Sequence, residues 1–155
     1  MLSILSLVSL ASLALAAPST LNTRQATASL SYEPKYDVGS THLSQVACSD
    51  GDFGLLSENF TTYDSLPTFA RIGGAPAISG WNDPQCGSCY EITYTSATGA
   101  SNSIIMTAID VGSQGFNVGT EAMDQLTGGR AIELGRVDVT YTQVSREQCG
   151  LKART

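Results

Sequence analysis

The sequence predicts a mainly β, single-domain protein, a closed or nearly closed barrel of five or six short strands with one short helix. Three observations point there. Apolar and polar residues alternate in several short runs, while one stretch alone has helical spacing. Glycine and proline punctuate the connections too often for long helices. Short strands also need closure or cover, because an open edge recruits other chains. At 155 residues, the chain is long enough for one core and small enough to gain from covalent staples.

Residues 1–17 (MLSILSLVSLASLALAA) carry no charged side chain and end in a small-residue cleavage pattern, Ala14-Leu15-Ala16-Ala17. They read as a secretory signal peptide rather than a membrane span. Residues 18–27 read as a disordered leader or pro-segment, with Arg24-Gln25 as a weak processing signal. No second long apolar run follows, so export without a membrane anchor is expected.

The first patterned segment, Ala28 to Tyr36, alternates like a strand that Pro34 confines to an edge or ends. Asp37-Val38-Gly39-Ser40 reads as a turn. A short piece, Ser44 to Cys48, closes on the dense turn signal Ser49-Asp50-Gly51-Asp52. Asn59-Phe60-Thr61 is the single N-x-T sequon, a glycan acceptor in an exported chain. The stretch Pro67–Thr95 holds three of five prolines, the one tryptophan (Trp81) and two of four cysteines. Its first part is too irregular for a helix; Cys89 to Thr95 alternates like a strand.

Ser103 to Asp110 is nearly all apolar and reads as a strand buried on both faces. Gly115 to Gly119 reads as a loop. Thr120 to Thr127 carries the helical pattern, with Thr120 as cap, Gly128-Gly129 as stop and Ala122, Met123 and Leu126 as buried stripe. Arg136 to Val144 is a clean period-two strand, and a polar tail follows at residues 152–155.

Four cysteines in a small exported domain imply two disulfides, for which three pairings exist. Cys86-Gly87-Ser88-Cys89 also has redox-motif spacing, but such motifs open a helix and this one opens a strand. A four-thiolate zinc site fits by number and is disfavoured by oxidising surroundings. The net charge of −6, with no basic run, gives no footing for nucleic acid and suits neutral partners such as polysaccharide.

Nucleophilic triads need a histidine, and His42 sits in a polar turn, where a bystander is expected. Neither a metalloprotease motif nor a phosphate or dinucleotide loop is present in the sequence, and no cofactor is expected. Asp110 ends the most apolar run and has two readings: a partly desolvated proton donor, or a turn residue bonding nearby amides. As a strand-end residue it is expected to carry little packing. Glycoside hydrolysis usually needs a second carboxylate, and no motif marks one. Trp81 and several tyrosines could stack on sugar rings, though burial is the expected place for Trp81.

SYEPKYDVG, VACSDG, TTYDSLPTF, IGGAPAISGWNDPQCGSC, AIDVGSQGFNVG, EAMDQLT and LGRVDVTYTQV occur in this order. Together they resemble the cerato-platanin proteins of filamentous fungi over residues 28–151, leaving 152–155 as an extra tail. The resemblance implies a six-stranded double-psi β-barrel related to barwin and the first expansin domain, with disulfides Cys48–Cys86 and Cys89–Cys149. It implies a shallow groove for chitin-type N-acetylglucosamine oligomers, with Asp110 and Asn117 on positions the family uses. It implies a secreted monomer, present outside the cell and in the fungal wall, that elicits plant defence and self-assembles at interfaces. Cellulose surfaces and a plant receptor are further partners the family implies. Tyr90 stands where tryptophan is common, and Ala108-Ile109-Asp110 lacks the expansin histidine. The expected function is therefore sugar binding without turnover. The alternative is a weak polysaccharide-active enzyme or an expansin-like loosening protein using Asp110.

Overall fold

The computed structural model describes residues 25–154. The signal segment and most of the leader lie outside the described residues. Six strands close into one barrel: β1 (Ala26–Tyr32), β2 (Ile72–Ala75), β3 (Cys89–Thr95), β4 (Ser101–Val111), β5 (Phe116–Val118) and β6 (Arg136–Val144). Around the barrel the order is β1-β5-β2-β4-β3-β6. The β1–β5 and β2–β4 pairs are parallel, and the other four pairs are antiparallel. Two short helices, α1 (Thr120–Thr127) and α2 (Ala131–Leu134), fill the β5–β6 connection. Among the described residues no helix is long and apolar enough to cross a membrane.

Two strands were hidden by their composition. β2 lies inside the irregular Gly/Pro stretch, and all four of its residues are buried. Its glycines are required by close backbone approach: a Cβ on Gly73 would stand 2.1 Å from the Asn117 carbonyl oxygen, and one on Gly74 2.5 Å from that of Val111. The residues that look like loop breakers are the ones that let a central strand be enclosed. β5 occupies the expected loop, where three residues between glycines are too few for alternation to register.

β1 begins at Ala26 and stops before Pro34, which opens a 3-10 turn over Pro34–Asp37. The piece around Ser44 is likewise a 3-10 turn, Leu43–Gln45. α1 has the expected bounds, and Ala122, Met123 and Leu126 are fully buried. Burial of the two larger side chains contributes about 1.5–3 kcal/mol each. Its cap differs from expectation. Thr120 is the first helical residue, and the Asp37 carboxylate accepts from the Thr120 and Glu121 amides at 2.9 and 3.1 Å. A cap borrowed from the turn after β1 ties the helix to the barrel.

Inside the barrel Tyr90, Phe116 and Tyr141 pack edge to face, with centroids 4.9–5.9 Å apart. The disulfides are Cys48–Cys86 and Cys89–Cys149. One fastens the 47–54 loop to the end of the central stretch; the other fastens the start of β3 to the last 3-10 turn, Arg146–Cys149. Residue 154 docks against the loops around Phe53, Glu58 and Cys86. The Arg154 guanidinium donates to Glu58 Oε1 (2.6 Å) and to the Phe53 and Cys86 carbonyls (2.7 and 2.6 Å). Arg146 holds both oxygens of the same Glu58 at 2.8 and 2.9 Å.

Candidate functional site

The register of β2 fixes the relation between Asp110 and Asn117. Gly74 pairs with Asp110 of β4 on one side and with Asn117 of β5 on the other. Asn117 in turn pairs with Ser31 of β1, and Ser31 with Arg136 of β6. A row of four polar residues and one glycine thus runs over five strands. Two strand spacings put the Asp110 and Asn117 backbones about 10 Å apart. Val111 and Gly112 lie over Gly74, so the floor between them is main chain.

Asp110 is braced at its strand end, contrary to the expectation of little packing. Its side chain is 17 % exposed. Oδ1 accepts from the Ala47 and Val111 amides at 3.2 and 2.9 Å; Oδ2 accepts from the Tyr36 hydroxyl at 2.9 Å and from Lys35 Nζ at 3.3 Å. The backbone bonding of a turn aspartate is therefore realised, and long-range partners add to it. Four donors match the roughly four lone-pair sites of a carboxylate. Burial raises the Tyr36 phenol well above its usual range, and the adjacent Asp110 charge raises it further. Tyr63 is raised by burial first and Asp110 second. The Tyr36 hydroxyl stays protonated, as a donor to Asp110 requires.

Asn117 is half-buried, with Oδ1 accepting from the Ser31 hydroxyl at 3.3 Å. It borders a small concavity of about 110 Å³ with Ser31, Gln114 and Arg136. Arg136 is held there by the Gln114 carbonyl (3.0 Å) and the Ser29 hydroxyl (2.8 Å). That volume takes a few waters or one ring substituent, whereas enclosed ligand sites run to ~300–1,000 Å³. Asp110 does not line it. The polar row therefore lies on an open, shallow surface rather than in an enclosed pocket.

Trp81 departs from the expectation of burial: it is 63 % exposed. Its indole N–H donates to Asp50 Oδ1 at 2.6 Å. That bond, followed by one from Ser49, holds the Asp50 carboxyl below its usual range. A lone tryptophan amid glycine and proline gave no periodicity from which exposure could be read. His42 is exposed and caps the Leu43–Gln45 turn, its Nδ1 accepting from the Ser44 amide at 3.2 Å.

Asn59 is exposed and left-handed (φ 70°) at the end of the 3-10 turn Leu56–Glu58. It stands at the rim of a wider groove of about 560 Å³, bordered by Phe53, Phe60, Lys152 and Arg154. No sequence motif pointed to this groove, because residue 154 closes it from the far end of the chain. Among the described residues, no group of three His, Cys, Asp or Glu side chains could hold a metal ion.

The cerato-platanin family profile matches residues 28–151. The chain is 49 % identical over 148 residues to Allergen Asp f 15 of Aspergillus fumigatus, covering 94 % of this chain and 93 % of that one. The crystal structure of cerato-platanin 2 from M. perniciosa superposes with a TM-score of 0.77 at 45 % identity, covering 81 % of this chain and all of that one. The solution structure of the fungal elicitor cerato-platanin superposes with a TM-score of 0.65 at 41 % identity, covering 78 % and 95 % respectively. With one fold, one order of motifs and a profile that takes in every barrel strand but the first two residues of β1, the chain belongs to the cerato-platanin family.

Proposed function

We propose that this protein is exported by a fungus and binds chitin-type N-acetylglucosamine oligomers without cleaving them, acting outside the cell and in the wall as an elicitor-type protein. The observation that carries the reading is the polar row Asp110, Gly74, Asn117, Ser31 and Arg136 over the barrel surface. Asn117 both donates and accepts, which suits an acetamido substituent. A sugar hydroxyl reaches Asp110 by replacing Lys35, the half-exposed and most distant donor among its side-chain partners. The bonding of Asp110 supports binding without turnover. Both oxygens already accept, and a general acid needs a proton aimed at the glycosidic oxygen. The elicitor role rests on similarity to the fungal elicitor cerato-platanin, and export rests on the N-terminal segment.

The test is calorimetric titration with N-acetylglucosamine oligomers, followed by reducing-end analysis after long incubation. Asn117→Ala should weaken binding roughly tenfold, the loss of one good hydrogen-bonding pair. Equal affinity in wild type and Asn117→Ala would remove Asn117 from the site. Reducing ends that accumulate with wild type and not with Asp110→Asn would replace the binding reading with the enzymatic one.

A further inference from the structure

We propose that Trp81 is a fixed aromatic platform on which one pyranose ring of a bound oligomer stacks, extending the polar row past Asp110. The inference rests on the sugar-binding reading and adds a subsite to it.

The first ground is how the ring is presented. Large apolar side chains exposed to this degree are exceptional on this surface: among the described residues only Ile132 is more exposed than Trp81. Trp81 nevertheless does not hang free. Its one polar atom is bonded to Asp50, so the indole edge is taken up by the protein and its faces remain for a partner. A sugar ring offers a matching flat face of C–H groups, and its hydroxyls lie at the edge, clear of the indole.

The second ground is the support beneath it. Asn82, the next residue, is left-handed (φ 55°) and tied on both sides. Its amide donates to the Ala47 carbonyl at 3.4 Å, and its side-chain oxygen accepts from the Phe53 amide at 2.9 Å. A Cβ on Gly51 would stand 2.5 Å from the Asn82 side chain, so the two loops are in close contact. The Cys48–Cys86 disulfide adds a covalent tie between the same loops. A ring already fixed loses little freedom on binding, which is the energetic advantage of pre-organisation.

The third ground is position. Ala47 bonds Asn82 through its carbonyl and Asp110 through its amide, at 3.2 Å. The next amide, Cys48, donates to the Ile109 carbonyl at 3.1 Å. A single residue thus links the tryptophan loop to the end of β4, where the polar row begins. An oligomer laid over Asn117 and Asp110 and continued in that direction meets the Trp81 loop.

Trp81 is the one tryptophan in the chain, so its emission reports this site alone. The experiment titrates the disulfide-bonded protein with the N-acetylglucosamine tetramer, following emission and, in parallel, heat. We expect a saturable change in emission with the same Kd as the calorimetric curve. Trp81→Ala should weaken tetramer binding roughly tenfold while Trp81→Phe, which keeps the stacking face, stays within about threefold. Thermal melting verifies that each variant is folded. Unchanged emission together with wild-type affinity in Trp81→Ala would overturn the platform and leave the polar row standing. Failure of the wild-type protein to bind the tetramer by heat would overturn the sugar-binding reading itself.

Discussion

Replacing Asp110 with alanine should cost the fold far more than its place at the end of a strand implies. The substitution takes the acceptor from all four donors, and two of them are shielded from water: the hydroxyl of Tyr36, a residue 1 % exposed, and the amide of the part-buried Ala47, whereas Val111 is exposed. Each orphaned buried donor costs about 1–3 kcal/mol. Lys35 is half-exposed and simply returns to water. A loss of about 3 kcal/mol is therefore expected, a large share of a typical ~5–15 kcal/mol total. Tyr36→Phe should cost about 1.5 kcal/mol, and the double variant less than the sum, because the two residues share one bond. Urea denaturation followed by far-ultraviolet circular dichroism measures all three. An Asp110→Ala protein within about 0.5 kcal/mol of wild type, with strict additivity in the double variant, would refute the bracing described above. The result also governs how binding data are read: lost affinity in Asp110→Ala counts only after the fraction folded is known.

Three other outcomes are expected. Reduction of the disulfides, whose cysteines are 38 and 60 residues apart, should remove about 4 kcal/mol each on a chain-entropy account, lowering the thermal midpoint sharply; an unchanged midpoint in reductant would contradict it. Tyr36, Tyr63 and Tyr90 are all raised above the ordinary phenol value of 10.0, chiefly by burial. The folded state keeps protons that the unfolded chain releases, so stability should be full below pH 10 and fall as pH rises above it. Melting curves recorded in alkaline buffers, with Tyr36→Phe flattening the fall, test this. Asn59 should carry a glycan when the protein is made in a fungal secretory pathway, and an intact mass equal to the disulfide-bonded polypeptide would exclude it.

What the sequence made legible was what repeats. The alternating runs of β3 and β6 and the helical spacing of α1 declared themselves, since each depends on neighbours along the chain. β2 and β5 did not, because Gly73, Gly74 and the brief Phe116–Val118 are specified by what other strands bring against them. The same division holds at the site. Asp110 was visible as a carboxylate closing an apolar run, and Asn117 through a resemblance. Tyr36, Ala47 and Lys35 were not connected to Asp110, for contacts at separations of 63 to 75 residues leave no local pattern. Trp81 was misplaced for a related reason: its exposure is set by loops on the other side of a disulfide.

The position of β1 between β5 and β6 has a consequence for how the chain is made. Ser31 and Asn117 are 86 residues apart, and Gln25 and Thr140 are 115 apart. At a synthesis rate of ~5–20 residues per second, β1 waits roughly 4–17 s for its first neighbour and longer for its second. The hairpin of β3 and β4 is the earliest pairing that the order of synthesis permits. Cys48 emerges first, Cys86 follows 38 residues later with Cys89 close behind, and Cys149 comes 60 residues after Cys89. During that interval three thiols compete for two positions, and the correct partner of one of them has not been made. The early half of this chain therefore stays open, reduced or reversibly paired until its last strand arrives to close the ring.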